Sequence, residues 1–242
     1  MKVLGLDTST KATSVSVICE YDGLIAEYTL RDKRTHSEKL MPLVDKVLTD
    51  SKTVLEELSG ISVVNGPGSF TGLRIGIATA FGLSTGYDIP LVGVSSLDVL
   101  ANQRPIIGLI CPVLDARKNE VYTCLYEGTE NGVERLWEYR VISLEQLFLD
   151  LNKEKVSKER DKYKTEILFT GDGVDVFREE LIENTPFLSV HTYKEIEINR
   201  ASVTARLGLN EIKKGNILSP HELTPIYIRK SEAEKKREER VD

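Results

Sequence analysis

The sequence has 242 residues, of which 40% are hydrophobic and 29% charged, so it suits one large domain or two small ones with a buried core. Its 32 basic and 38 acidic residues give a formal net charge of −6, which argues against a broad electrostatic attraction to nucleic-acid phosphates. Three distant cysteines and the lack of any run of about 18 apolar residues exclude a disulfide framework and a membrane span, so we expect a reduced, cytoplasmic protein.

The first half of the chain alternates strand and helix patterns, and turn residues separate its short apolar runs. A helical apolar stripe follows Ser37, which we expect to cap the first helix, and Pro42 lies in the first turns of that helix. The predicted elements are strands at 3–7, 13–19 and 23–30, a helix from 37 to about 50, a strand at 61–64, a helix at 71–86 and a strand at 91–94. This order is typical of one lobe of the actin-like or ribonuclease-H-like architecture.

A glycine-rich run, from Asn65 to Gly72, links a predicted strand to a predicted helix. Glycine permits positive φ and close backbone approach, and the hydroxyls of Ser69 and Thr71 can cap the helix. Such a turn also suits an anion, because unpaired N–H groups and the helix dipole point at it. The P-loop and dinucleotide motifs do not fit, since no Lys-Ser or Lys-Thr follows Gly72 and the glycines are not spaced G-x-G-x-x-G. A tight turn that only seats the helix is the alternative.

On the helix at 71–86, small residues recur at every fourth position and form a ridge that a second helix can approach closely. Apolar residues of this helix and of the preceding one lie beside the ridge. The candidate partner-binding residues are Leu40, Leu43, Val44, Val47, Gly72, Leu73, Gly76, Ile77 and Ala80. Packing of these two helices within the chain alone is the other interpretation.

The second half begins near Pro105 and is expected to be a degenerate repeat of the first. Its predicted elements are strands at 106–114, 120–126 and 133–141 and a helix from Ser143. Alternating charges over 153–164 favour a solvated insertion. The predicted divisions are a first lobe at 1–104, a second lobe at 105–230 and a charged tail at 231–242.

Several short motifs are spread along the chain. They are Leu-Gly-Leu-Asp-Thr-Ser-Thr at 4–10, Thr-His-Ser-Glu at 35–38, the glycine run extended to Gly76, Asp-Ala-Arg at 115–117, Phe-Thr-Gly-Asp-Gly at 169–173 and Pro-Ile-Tyr at 225–227. Together these motifs resemble the bacterial TsaB (YeaZ) family. The resemblance implies an α/β, actin-like ATPase (ribonuclease-H-like) fold with two related lobes, the second degenerate. It also implies a part in making threonylcarbamoyladenosine beside the anticodon of tRNAs that read codons beginning with A, in which a paralogue, TsaD, is the transferring subunit.

In that superfamily an acid after the first strand lies near magnesium, and hydroxyls lie near a phosphate. The resemblance therefore implies candidate nucleotide-binding residues at Asp7, Thr8, Ser9, Thr10 and Asp115. The alternative is that Asp7 and the hydroxyls only stabilise the first hairpin turn. TsaD-like enzymes hold a metal with two histidines four residues apart, whereas Ser96 and Leu100 occupy those positions here, so no metal site is expected. No cofactor is certain, and ATP or ADP with magnesium at a complex interface is the candidate.

We therefore expect a non-catalytic subunit that binds and supports a TsaD-like transferase through this pair of helices. A TsaE-like ATPase, indirect contact with tRNA, and a homodimer when the chain is alone are further expectations. The main alternative is a stand-alone ATPase or kinase-like enzyme of the same superfamily, in which Asp7, Thr10 and Asp115 would act. A peptidase or chaperone-like factor is a third hypothesis, although no G-x-S-x-G nucleophile motif supports it.

Overall fold

A computed structural model describes residues 1–104, 106–157, 166–185, 189–191, 200–226 and 228. Within these residues the chain forms two lobes, each built around one β-sheet. Most of the predicted insertion at 153–164, the whole predicted tail at 231–242, and Tyr227 of the Pro-Ile-Tyr motif lie outside the described residues. Among the described helices, none combines the length and the apolar character that a membrane crossing requires.

The first lobe has the predicted order of elements. Its strands are β1 (Lys2–Asp7), β2 (Thr13–Cys19), β3 (Gly23–Leu30), β4 (Gly60–Gly66) and β5 (Leu91–Ser95), and its helices are α1 (His36–Asp50), α2 (Phe70–Tyr87) and α3 (Ser96–Ala101). In the described residues the sheet order is β3-β2-β1-β4-β5. The first three strands form an antiparallel meander, whereas β4 is parallel to β1 and β5 is parallel to β4.

The second lobe repeats this topology. Its strands are β6 (Gly108–Asp115), β7 (Glu120–Thr123), β8 (Tyr126–Thr129), β9 (Gly132–Arg135), β10 (Arg140–Ser143), β11 (Glu166–Thr170) and β12 (Ser189–His191). The described helices after β10 are α4 (Leu144–Ser157), α5 (Gly173–Val176), α6 (Arg178–Glu183) and α7 (Ala201–Lys213). The main path of the described sheet runs β10-β7-β6-β11-β12, which matches the first sheet strand for strand, with a β8–β9 hairpin added beside β6. The predicted pair of related lobes, the second modified, is therefore confirmed.

Two predicted strands of the second lobe are each divided in two. The predicted strand at 120–126 forms β7 and β8, which pair with β6 in one antiparallel register and are interrupted at 124–125, where the carbonyl oxygen of Leu125 accepts hydrogen bonds from the N–H groups of Leu136 (2.7 Å) and Trp137 (3.2 Å). The same contact separates β9 from β10 within the predicted strand at 133–141. Residues 121–126 are all apolar, aromatic or β-branched, and such a run carries no signal for an interruption inside it.

The first helix begins with Thr35 as its N-cap, and not with Ser37 as predicted. The N–H of Thr35 donates to Oε2 of Glu38 at 2.7 Å, which is the reciprocal contact of a capping box. The next residue, His36, ties the helix to β2, since its Nδ1 lies 2.7 Å from Oγ1 of Thr13. Burial lowers the pKa of His36, so the tie is made by a neutral imidazole at neutral pH.

Helix α7, which lies in the predicted second lobe, packs against the first sheet. Two glycines permit this approach. A Cβ on Gly5 would lie 2.2 Å from the carbonyl oxygen of Ala201, and a Cβ on Gly208 would lie 2.4 Å from the side chain of Ser62. The segment after α7, residues 216–226, then crosses the first lobe, and the N–H of Ile226 donates to the carbonyl oxygen of Asn65 at 2.7 Å. The first sheet is thus completed by late parts of the chain.

The N-terminus of α7 is capped by the first sheet. The N–H of Ser202 donates to Oε1 of Glu27 at 2.8 Å, and the side chain of Glu27 is only 8% exposed. Replacing Glu27 with alanine is expected to lower the free energy of unfolding by about 1–2 kcal/mol, because the helix start loses an acceptor and a favourable charge. Urea denaturation measures this change. Glu20→Ala is the matched control, since Glu20 pairs with Lys213 at the other end of α7 but at the surface. An equal loss in both variants would contradict the capping role.

Candidate functional site

The glycine run ends β4 and seats the start of α2 on the turn that follows β1. Gly68 has a φ of 155°, and the N–H of Ser69 donates to the carbonyl oxygen of Ser9 at 2.7 Å. A Cβ on Gly68 would lie 2.4 Å from that oxygen, and a Cβ on Gly72 would lie 2.0 Å from the carbonyl oxygen of Thr8. The predicted close approach is therefore present, and the backbone that is approached is the chain's own.

The predicted ridge of small residues on α2 faces the first sheet and not a second helix. Gly72, Gly76 and Ala80 are buried, and a Cβ on Gly76 would lie 2.4 Å from Oγ1 of Thr8. The hydroxyl of Thr8 donates to the carbonyl oxygen of Gly72 at 2.7 Å. The ridge lets α2 lie close to β1, and this corrects the expectation that it is free for docking.

The predicted apolar contact residues are used inside the first lobe. Leu40, Val44 and Val47 are at most 1% exposed, and Leu73 is 4% exposed. Leu43 and Ile77 are half-buried and pack against the core of the same lobe. A partner that docks on α1 and α2 can therefore reach, of these residues, only the exposed parts of Leu43 and Ile77. Partner binding itself stays a prediction.

A second series of small residues lies on the solvent-exposed side of α2. Ala78, Gly82 and Gly86 are exposed and recur every four residues. A Cβ on Gly82 or Gly86 would meet no neighbouring atom within 4 Å outside the helix backbone. Met41, on the adjacent helix α1, is 48% exposed. We name Met41, Ala78, Gly82 and Gly86 the open helix face. Its sequence signal is a second series of small residues at a spacing of four, which the sequence-based prediction missed.

A cleft of about 650 Å³ lies between the lobes. The first lobe lines it with the turn after β1 and the start of α2, and the second lobe lines it with the turn between β6 and β7 and with α5. Phe70 and Tyr122 add aromatic surface. The charged lining residues are Lys11, Arg31, Arg117, Asp115, Asp172 and Asp175. The cleft therefore presents cations and carboxylates together.

Only some of the predicted nucleotide-binding residues lie at the surface of the cleft. Ser9, Thr10 and Asp115 line the cleft, whereas Asp7 and Thr8 do not. Asp7 is 1% exposed, and its Oδ1 accepts hydrogen bonds from the N–H (2.8 Å) and the hydroxyl (2.6 Å) of Ser9. Thr8 is fully buried under α2. The expected place of Asp7 near magnesium stays a prediction, and the structure places this carboxylate behind the cleft lining, with its Oδ1 engaged by Ser9.

Two carboxylates lie together on the second-lobe wall of the cleft. The N–H of Asp115 donates to Oδ1 of Asp172 at 3.1 Å, and Oδ1 of Asp115 accepts from the N–H of Arg117 at 2.7 Å. Solvent reaches Asp172 from the mouth of the cleft, yet burial among the surrounding protein atoms raises its pKa, and the charge of Asp115 adds to the rise. These two carboxylates would repel a phosphate, whereas Arg117 on the same wall would attract one.

Ser96 and Leu100, the two positions that the resemblance relates to metal ligands, have structural roles. The hydroxyl of Ser96 donates to the carbonyl oxygen of Pro67, and Leu100 is 1% exposed in the core of the second lobe. In the part of the chain that the structure describes, no group of three or more His, Cys, Asp and Glu side chains is placed to hold a metal ion. Burial raises the pKa of Cys111 to about 12 and that of Cys124 to about 11, so both thiols are protonated at neutral pH.

Known proteins resemble this chain along most of its length. A family model described as TsaD, tRNA N6-adenosine threonylcarbamoyltransferase, matches residues 15–237. The tRNA threonylcarbamoyladenosine biosynthesis protein TsaB of Bacillus subtilis (strain 168) is 36% identical over 98% of this chain and 97% of its own length. TsaB of Escherichia coli (strain K12) is 37% identical over 55% of this chain and 58% of its own length. The solved structure of YeaZ from Pseudomonas aeruginosa, at 23% identity, has a TM-score of 0.73 over 93% of this chain and 99% of that one. That likeness concerns the fold.

Proposed function

This chain belongs to the TsaB (YeaZ) family and has the actin-like α/β fold, and on that premise we propose that it is a non-catalytic subunit that binds and supports a TsaD-like transferase. The reaction would be the formation of threonylcarbamoyladenosine next to the anticodon of tRNAs that read codons beginning with A. The names of its relatives support a part in this biosynthesis.

The open helix face is the observation that supports partner binding. A Cβ on Gly82 or Gly86 would meet no neighbouring atom, and small residues let two helix backbones come close together. A TsaD-like paralogue would present its own two helices, so that four helices meet. The same surface would close a homodimer when the paralogue is absent, because an isologous contact uses one patch twice.

The buried state of Asp7 and Thr8 supports the non-catalytic part of the proposal. In an actin-like ATPase these positions would face a metal nucleotide, whereas here the side chain of Asp7 holds Ser9 and that of Thr8 holds α2. If ATP or ADP enters the cleft, its phosphates would meet Lys11, Arg31 and Arg117 in place of these residues. Nucleotide held in this way would not be turned over by this chain alone.

The remaining partners follow from the same proposal. With a formal charge of −6, the chain would contact tRNA only indirectly, through the transferase. A TsaE-like ATPase would join the assembly as a separate subunit. On the same proposal we place this chain and these partners in the cytoplasm.

Size-exclusion chromatography with light scattering tests the proposal, on this chain mixed with the TsaD-like paralogue of the same organism, with and without ATP. We expect one species with the summed mass of the two chains. Two folded proteins that elute separately in both conditions would refute the proposal. The stand-alone ATPase would then be the better hypothesis, and hydrolysis of ATP by the isolated chain, lost in Asp7→Ala, would support it.

A further inference from the structure

Helix α3 lies where the chain first crosses from one lobe to the other. Its residue Val99 packs with apolar residues of β4, β5 and α2, whereas Leu97 and Leu100 belong to the core of the second lobe. The hydroxyl of Ser96 donates to the carbonyl oxygen of Pro67 in the first lobe. The helix is therefore packed on both sides, and its position sets how the lobes meet.

The carboxylate of Asp98, in the middle of α3, accepts hydrogen bonds from two tyrosines of the second lobe. The hydroxyl of Tyr126, on β8, lies 2.7 Å from Oδ1, and the hydroxyl of Tyr139, just before β10, lies 2.6 Å from Oδ2. Tyr126 is 2% exposed and Tyr139 is half-buried. Burial and the charge of Asp98 raise the pKa of both phenols, which therefore stay protonated donors throughout the physiological range.

Further contacts hold this cluster in place. The guanidinium of Arg135 lies 4.5 Å from the ring centre of Tyr139. At the end of α3, Nδ2 of Asn102 donates to the carbonyl oxygen of Asp98 at 2.9 Å. The carbonyl oxygen of Asn102 in turn accepts from Arg206 of α7 at 2.7 Å. Polar contacts thus connect α3 to β8, to the segment before β10, and to helix α7, which returns from the second lobe to the first sheet.

We propose that Asp98, Tyr126 and Tyr139 form an inter-lobe latch that fixes the angle between the lobes and so the width of the cleft. Two lobes joined by short crossings move relative to each other unless specific contacts prevent it. The latch supplies two charge-assisted hydrogen bonds at such a crossing, and these are stronger than hydrogen bonds between neutral groups. If the tyrosine hydroxyls are removed, the half-buried carboxylate of Asp98 loses its hydrogen-bond donors. The angle between the lobes that the latch fixes is then no longer favoured over other angles.

The distance between two spin labels, one on each lobe, reports the angle between the lobes and so tests the latch. Glu56 in the first lobe and Glu145 on α4 are exposed and can be replaced by cysteine for labelling. Cys19→Ser removes the half-exposed natural thiol, and the buried Cys111 and Cys124, with their raised pKa, stay unlabelled in the folded protein. Dilution with unlabelled protein restricts the signal to distances within one chain.

We expect one narrow distance distribution for the labelled parent and a broadened or two-component distribution for the double variant Tyr126→Phe, Tyr139→Phe. Tyr21→Phe is the matched control, since Tyr21 lies in the turn between β2 and β3, is 86% exposed and belongs neither to the latch nor to the cleft lining, and the distribution should not change. Should the double variant not fold, Asp98→Asn and Tyr139→Phe alone supply the comparison. A parent that is already broad, or folded latch variants as narrow as the parent, would overturn the proposal.

Discussion

Replacing Gly82 with lysine is expected to abolish association with a TsaD-like paralogue while the fold becomes slightly more stable. Gly82 lies at the centre of the open helix face, and a side chain there points into open space in the free chain. In a complex, a long charged side chain would prevent close approach of the helices, and we expect a loss of more than a hundredfold, or about 3 kcal/mol. Within the free helix, lysine has a better propensity than glycine by roughly 0.5–1 kcal/mol.

Titration of the paralogue by calorimetry, together with thermal unfolding of each variant, measures both effects. Gly82→Ala is the matched control, because a methyl group keeps the helix close to its partner while giving the same gain in propensity. Leu43→Glu, at a residue that the sequence predicts to bind the partner, is a poor probe, because Leu43 packs against the core and its loss would disturb folding. Undiminished affinity of Gly82→Lys for the paralogue would remove the open helix face from the proposed interface.

Replacing Gly72 with alanine is expected to destabilise the protein by about 3 kcal/mol, at the upper end of overpacking effects. The added Cβ would lie 2.0 Å from the carbonyl oxygen of Thr8, so either α2 or the turn after β1 has to move. Backbone on both sides makes this movement costly, since the clash is not with the flexible end of a side chain. For a chain of this size, the midpoint of thermal unfolding should fall by roughly 10 °C.

Gly82→Ala again serves as the control for this change, on the same helix and with the same added atom. Its Cβ meets no neighbour, so its unfolding midpoint should rise or stay unchanged. If both alanine variants were equally stable, the tight seat of α2 on the turn after β1 would be disproved.

The sequence predicts the first lobe well because its apolar runs are short and are separated by turn residues. The β1 to β3 meander and the two helices lie within a residue or two of their predicted bounds. The error at the start of α1 has a visible signal, since Thr35 is followed three residues later by Glu38, which is the pattern of a capping box. In the second lobe, the continuous run at 121–126 gives no sign of the interruption between β7 and β8.

The candidate site is harder to predict because α2 carries small residues on two sides. The series of Gly72 and Gly76 and the series of Ala78 and Gly82 have the same spacing, and composition does not tell which one faces the sheet. The close contact of Gly76 with Thr8 decides it, and that contact is a tertiary one. The packing of α7 against the first sheet was equally difficult to predict, since the hydrogen bond between Glu27 and Ser202 joins residues 175 positions apart.

The packing of α7 against the first sheet also puts the chain's assembly out of step with its synthesis. The strands that α7 covers leave the ribosome first, and about 100 residues separate the end of β5 from the start of α7. At the usual pace of translation this interval lasts roughly 5 to 20 seconds. Throughout it, the groove beside Gly5 that Ala201 later fills remains open to water or to a chaperone. The strands that are synthesised first therefore reach their final packing only after helix α7, near the end of the chain, has been synthesised.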